Sequence, residues 1–517
     1  NMADRTPYYI TTPIYYVNDA PHIGHAYTTL ACDCLARFMR LDGYDVRFQT
    51  GTDEHGQKVE DAAAKAGVEP QAFTDKVSQA FRVLPEALNF TVDDFIRTTE
   101  PRHIESVQEI WRILRDNGHI YLGAYEGWYA VRDEAFYGEN ELTKDETGRR
   151  FAPSGAEVEW IAEPSYFFRL SEFEGQLLTF YENNPDFIAP ASRRNEVISF
   201  VKSGLRDLSV SRTTFKWGVP VPDDDAHIMY VWLDALTNYI TAVGYPDTES
   251  ENYKKFWPAD VHMVGKDILR FHAVYWPAFL MAANLAPPKR VFAHGWWTNE
   301  GEKISKSLGN VIDPIALVET YGLDPVRYFL MREVPFGNDG DFSSTAMVHR
   351  INGDLANDLG NLCQRVLTMV AKNCAASVPE HDDFTPGDKA LLNKARGLID
   401  TLRQEFGQQL FHRAFEAIWA VIGDANRYVD AQAPWALRKT DKARMATVLY
   451  TLAETIRMIA LYVQPIMPES ADKILDQLSV SKDARDYTAL GTMLTPGTAL
   501  PKPSPVFPRF VEETDGG

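Results

Sequence analysis

The stretch from Tyr8 to Gly51 reads as strand, helix, strand, and that order restricts the fold more than any other feature. "YYITTPIYYV" is β-branched and aromatic, the composition of a strand. From about His22 to Leu41, the residues Ile23, Leu30, Cys34, Leu35, Phe38, Met39 and Leu41 fall on one helical stripe, which Asp42-Gly43 ends. "YDVRFQTG" is a second strand. Strands joined through a helix run parallel, so the spacing predicts a βαβ unit in a parallel sheet. A ligand of such a sheet sits outside the carboxyl ends of its strands.

The same texture returns after about residue 229, in "HIMYVWLDALTNYITAVG", "ADVHMVGKDILRFHAVYWPAFLMA" and "KRVFAHGWWT". Between 116 and 228 it is interrupted by glycine-punctuated aromatic runs such as "GAYEGWYAV" and "EPSYFFRLS", which predict an inserted small domain rich in β structure. After about 350 every long segment has a helical period, and four or five such helices make a bundle. The expected division is 1–115 and 229–296 for an α/β Rossmann-type catalytic domain, 116–228 for the insertion, 297–350 for a linker and 351–517 for a helical domain. The proline-rich end "PKPSPVFPRF" is a docked or a disordered tail. With 517 residues, 45% of them hydrophobic, the chain is too long for a single core. No run of about 18 apolar residues suggests a membrane span, and the start lacks an apolar signal-peptide core. Four cysteines (Cys32, Cys34, Cys363, Cys374) make no disulfide framework at this size, so a reducing cytoplasm is expected. The net charge of −20 excludes nonspecific nucleic-acid coating but leaves room for a local basic groove.

His22, Gly24 and His25 sit where a strand hands over to a helix. A helix start exposes N–H groups and attracts anions, and Gly24 lets a flat ring lie close to the backbone. Taken alone the trio is open to three readings: structural cap, phosphate contact or, with Asp53-Glu54-His55, metal ligand. A second feature shifts the balance. "EKISKSLGN" places Lys303, Ser305 and Lys306 in a loop between Gly301 and Gly309, and lysine is a compact charge suited to phosphate tails. In isolation this is an ordinary charged surface loop; the two segments together, in this order on one α/β framework, favour phosphate.

"PHIGH" and "KISKS" resemble the paired signatures of class I aminoacyl-tRNA synthetases, with Ile304 where methionine is commoner. "TTPIYYVN", "GTDEHGQKV", "YFFRLS", "VWLDAL", "GKDILRFH" and "NVIDP" narrow the resemblance to the methionyl-tRNA synthetase family, from about Tyr8 to at least Pro468. The resemblance implies activation of methionine by ATP, with Mg²⁺ on the leaving pyrophosphate, and transfer to initiator and elongator tRNA(Met). It implies that His22, Gly24, His25, Lys303, Ser305 and Lys306 bind ATP. It places methionine among Pro13, Ile14, Tyr16, Trp232, Ala235, Leu236, Tyr239, Ile268 and His272, with Asp53 on the ammonium group and His272 or Tyr16 as a weak donor to sulfur. By helical spacing alone, Trp232, Ala235 and Tyr239 make an ordinary core stripe. The resemblance makes Asn361, Arg365 and Trp435 readers of the anticodon, which otherwise read as an exposed polar pair and a capping aromatic.

One departure stands out. Relatives with a zinc knuckle carry Cys-x-x-Cys pairs in the insertion, whereas here the first pair corresponds to Ala130 and Asp133, and no cysteine lies between Cys34 and Cys363. Structural zinc needs such ligands, so no zinc and a small domain held by its own core are expected. A small-molecule nucleotidyltransferase is the alternative enzyme, disfavoured by the helical third. A sister synthetase would carry a larger editing insertion. A tRNA-binding protein without catalysis is disfavoured by the intact histidines and lysines. No DNA or membrane partner is expected, and with no dimerising module the chain is expected to be a monomer.

Overall fold

The computed structural model describes residues 4–18 and 20–512. The chain forms two compact units, one of Pro7–Pro21 and Arg47–His294, the other of Asn1–Thr6, His22–Val46 and Gly295–Gly517.

The first unit is built on the predicted parallel sheet. Its strands include β1 (Pro7–Thr11), β2 (Tyr15–Tyr16), β3 (Asp45–Asp53) and β4 (Asp94–Arg97). The sheet runs from Ile188–Ala189 through Val291–His294 and Val261–Gly265 to β1 and β3, with β2 and β4 both paired to β3. The registers are parallel: Ile10 opposite Val261, Gly265 opposite His294, Tyr16 opposite Asp53 and Thr52 opposite Arg97. The run read as one strand breaks between β1 and β2, because Pro13 has no N–H for the ladder. The insertion is an antiparallel sheet whose long pair, Ile120–Ala130 and Glu159–Phe168, stays in register from Ile120–Phe168 to Tyr129–Glu159. Its root is not a separate core: Ile120, Phe168 and Val210 pack in one cluster with Tyr9, Trp111, Tyr239 and Val264 of the sheet and its helices. Only its tip has a small cluster of its own, Ala130, Ala152, Ala156 and Val158 against Trp128, Tyr137 and Leu142. There Asp133 accepts hydrogen bonds from Tyr137 Oη (2.7 Å) and Ser154 Oγ.

The second unit holds α1 (Ile23–Leu41) and the helical region. α1 is the crossover of the βαβ unit, yet its anchors lie among the helices. Asp33 makes a buried ion pair with Arg327 at 2.7 Å, and Phe38 stacks on Phe406 with ring centroids 4.2 Å apart. The helices Asn361–Asn373, Pro386–Gly407, Phe411–Gln432, Lys442–Val463 and Pro468–Gln477 follow the predicted order. Lys442–Val463 is apolar enough to cross a membrane but nearly all of it is buried in the bundle, as a core helix must be. The tail is docked: Phe507 is buried, the Phe510 ring lies on Tyr321, and Phe510 N–H donates to Asn352 Oδ1 at 2.8 Å.

Candidate functional site

In the second unit, His22 is the N-cap of α1. Gly24 N–H donates to His22 Nδ1 and His22 N–H donates to His25 Nδ1, both at 3.0 Å, a reciprocal cap made from imidazoles. Because each Nδ1 is an acceptor, the proton of each neutral ring sits on Nε2. Burial holds His25 well below the ordinary histidine range, with the neighbouring His22 adding to the effect. The rings lie 3.9 Å apart. A Cβ on Gly24 would meet His22 Cε1 at 2.8 Å, so the flat ring this glycine admits is that of His22 itself.

The lysine segment opens as a hairpin, Trp297–Asn299 against Glu302–Lys303. Asn310 then ties the loop: its Oδ1 accepts from Ser305 N–H (2.9 Å), its Nδ2 donates to the Lys303 carbonyl (3.0 Å), and its own carbonyl accepts from Asn299 Nδ2 (2.9 Å). Lys303 and Lys306 are exposed. The structure joins this segment to the start of α1, since Ile23 N–H donates to the Ile312 carbonyl at 3.1 Å and Tyr27 packs edge-on against Trp297.

The residues predicted for methionine lie in the first unit. Asp53 ends β3, beside Tyr16, and Pro13 and Ile14 are half-buried at the break before β2. Asp53 Oδ1 is buried with no hydrogen-bond partner. Burial first, then the nearby Asp234, Glu134 and Glu54, push its carboxyl well above the usual range. A carboxylate buried among other acids is costly unless a cation joins it. The same unit holds the apolar and aromatic residues of the prediction. Trp232 stacks on Phe271 at 3.7 Å, while Ala235 and Leu236 are buried. Tyr239 Oη lies 2.6 Å from His272 Nε2, and His272 Nδ1 lies 3.0 Å from the Ile268 carbonyl. A carbonyl only accepts, so His272 carries its proton on Nδ1 and receives the Tyr239 hydroxyl at Nε2. Burial lowers the His272 pKa to about 4. Both donors expected for the methionine sulfur are therefore engaged, His272 on Ile268 and Tyr16 on the Glu134 carboxylate.

Several buried, bonded polar residues of this unit have no place in the sequence reading. Buried Asp234 receives His55 Nδ1 at 2.6 Å and His103 Nε2 at 2.8 Å, which holds the helix Val231–Leu236. Two of the three possible metal ligands of "DEH" are thus engaged: His55 by Asp234, and Glu54 by the two bonds from Arg97 at 2.8 Å. Arg212 is buried with its guanidinium over Phe136 and Tyr230, each at 4.5 Å, and bonded to Ser209 Oγ and the Ser211 carbonyl. Glu134 enters from the insertion. Asp234 and Glu134 have no local sequence signal, because their partners are far away in the chain.

In the helical region Arg365 lies over the Trp435 ring at 5.6 Å and donates to Asp430. Trp435 is 47% exposed, a large apolar face on the surface, and Asn361 is exposed one turn before Arg365.

A parallel sheet, a histidine-capped helix and a lysine hairpin fit the class I aminoacyl-tRNA synthetases. The family model for class I tRNA synthetases (M) matches residues 8–367, and that for the anticodon binding domain of methionyl tRNA ligase matches 378–516. A methionine–tRNA ligase of Brucella suis biovar 1 is 58% identical, over 98% of this chain and 99% of its own. Mycobacterium tuberculosis methionyl-tRNA synthetase in complex with methionyl-adenylate superposes with a TM-score of 0.95 at 56% identity, covering 98% of this chain and 100% of that one. The apo form of that enzyme superposes with a TM-score of 0.90, over 98% of this chain and 99% of that one, at 52% identity. The chain belongs to the methionyl-tRNA synthetase family. It is an ATP-dependent ligase that activates L-methionine to methionyl-adenylate, releasing pyrophosphate, and transfers the methionyl group to tRNA(Met).

Proposed function

We propose that this ligase works with the residues above in the following roles. Asp53 receives the methionine ammonium, and Pro13, Ile14, Tyr16, Trp232, Ala235, Leu236, Tyr239, Ile268 and His272 surround the apolar side chain. The methionine carboxylate attacks the α-phosphorus of ATP and pyrophosphate leaves. An in-line displacement of this kind needs alignment and charge stabilisation more than a covalent nucleophile. His22 and His25 present Nε2–H donors to the phosphates, Gly24 admits the His22 ring, and Lys303, Ser305 and Lys306 supply charge and a hydroxyl at the triphosphate. Each such donor is worth about 2.7–4 kcal/mol of barrier.

Magnesium would be expected with ATP. The histidine and lysine segments offer N–H and ammonium donors, and no group of three or more metal-ligating side chains occurs among the described residues. The phosphate oxygens would then carry the ion. Trp435 would stack an unpaired anticodon base while Arg365 and Asn361 read base edges, on initiator and elongator tRNA(Met) alike. The absence of structural zinc, a monomeric state and a cytoplasmic location belong to the same proposal. Metal analysis finding stoichiometric zinc would remove the first of these.

The observation that carries the reading is the unpartnered buried Asp53 oxygen beside Tyr16, an acid fit for a cationic group next to an aromatic side chain. ATP–pyrophosphate exchange with each of the twenty amino acids tests it. Exchange with methionine alone is expected. Exchange that prefers another amino acid, or with none, would overturn it.

A further inference from the structure

Glu134 lies at the turn between Ile120–Ala130 and Ala135–Tyr137, in left-handed backbone with φ 50°. A non-glycine residue in this region needs something to hold it. Here its carbonyl accepts the Tyr230 hydroxyl at 2.6 Å, and its buried carboxylate accepts the Tyr16 hydroxyl. Space has been left for this bond. Gly56 has φ +118°, and a Cβ there would meet Glu134 Oε1 at 2.4 Å and Tyr16 Oη at 3.0 Å. The carboxylate is also close enough to Asp53 to raise its pKa. The insertion thus reaches into the amino acid site with one acidic side chain.

We propose that Glu134 is a positioning residue for methionine recognition, fixing the Tyr16 wall and adding a second buried negative charge to the ammonium end of the Asp53 site. The proposal rests on the methionine reading of that site. The charged and titratable groups facing Glu134 are Tyr16 on β2, Asp53 at the end of β3, Lys58 on the helix that follows, Tyr129 and Arg212 in the insertion, and Tyr230 and Asp234 at the start of the next helix. Burial raises Tyr16, Tyr129 and Tyr230, so these phenols stay neutral. Asp234 is held low, to about 2. Burial lifts Glu134 to about 7, against the lowering effects of the Tyr16 bond, Lys58 and Arg212. Its ionised form attracts the ammonium, so the affinity for methionine rises as pH rises through this range.

The test is methionine-dependent ATP–pyrophosphate exchange from about pH 5.5 to about pH 8.5 for the wild type, Glu134→Gln and Tyr16→Phe. Glu134→Gln keeps an acceptor for Tyr16 but removes the charge. Its KM for methionine should rise about tenfold at neutral pH with KM for ATP unchanged. Its rising limb in kcat/KM should move to lower pH, because Asp53 loses a like-charged neighbour. Tyr16→Phe removes the bond that lowers Glu134, so its limb should move to higher pH. Thermal unfolding of both variants reports folding. An unchanged KM for methionine in Glu134→Gln, limbs that do not separate in these opposite directions, or losses that track reduced thermal stability would overturn the proposal. Absence of methionine exchange in the wild type would instead overturn the methionine reading on which it rests.

Discussion

Asp234→Asn tests how the methionine site is held. Asp234 is buried and receives two imidazoles, His55 at 2.6 Å and His103 at 2.8 Å. These interactions outweigh burial and lower its carboxyl from 3.8 to about 2. At about 1.4 kcal/mol per tenfold, the ionised form contributes about 2–3 kcal/mol to folding. The sign follows from the depressed pKa. The contribution is complete above the unfolded value and is lost as pH falls through the folded one. Asparagine keeps one acceptor and turns an N–H₂ group toward the second histidine, so most of this is forfeited. Hydrogen exchange of the amides in Val231–Leu236 reads the loss directly: protection should fall roughly 30- to 150-fold relative to wild type. The carboxylate's own ionisation is complete from about pH 5 upward, because both of its pKa values lie below that. A ratio near one at neutral pH would refute the assignment of a charged Asp234 clamp.

Three further substitutions separate the proposed roles. His25→Ala should slow methionine activation by about 10²–10³-fold while leaving tRNA binding nearly unchanged; equal loss of both would mark a folding residue. Trp435→Ala should lower the charging efficiency for tRNA by roughly 5- to 150-fold, the worth of one stacked base, and spare ATP–pyrophosphate exchange. Tyr239→Phe leaves the buried His272 Nε2 without its donor, a cost of about 1–3 kcal/mol; KM for methionine should rise, and a parallel rise in KM for ATP would count against a role confined to the amino acid.

The strand–helix–strand opening was legible because it depends on local periodicity and on the stop at Asp42-Gly43. The helical third was legible for the same reason. What periodicity does not carry is which faces meet. α1 was expected as a crossover of the sheet, but Asp33 and Phe38 find Arg327 and Phe406, partners nearly 300 and 370 residues away. The stripe of Trp232, Ala235 and Tyr239 varies in depth: Tyr239 is packed in the core of the sheet, while Trp232 is only half-buried, stacked on Phe271. The insertion was read through the cysteines it lacks, at Ala130 and Asp133. The residue that reaches Tyr16 is the adjacent Glu134. A hydrogen bond across 118 residues leaves no mark in either segment.

The pattern of engaged donors bears on how methionine is selected. His272 gives its proton to Ile268 and Tyr16 gives its proton to Glu134, so neither offers an N–H or O–H to sulfur in this arrangement. A site that bonds a polar group of its substrate rejects analogues lacking that group strongly, whereas an apolar site distinguishes one methylene by only about 1–3 kcal/mol. A thioether is at best a weak acceptor, so a donor held for it would be left nearly unsatisfied inside the protein. Neutral, mutually bonded groups such as His272 and Tyr239 avoid that cost and present a polarizable wall to a polarizable side chain. In the proposed roles, selection would follow from the shape between Trp232, Ala235 and Tyr239, with charge concentrated on Asp53 and Glu134. The charged end would recognise any α-amino acid, and the apolar end would distinguish methionine from the others.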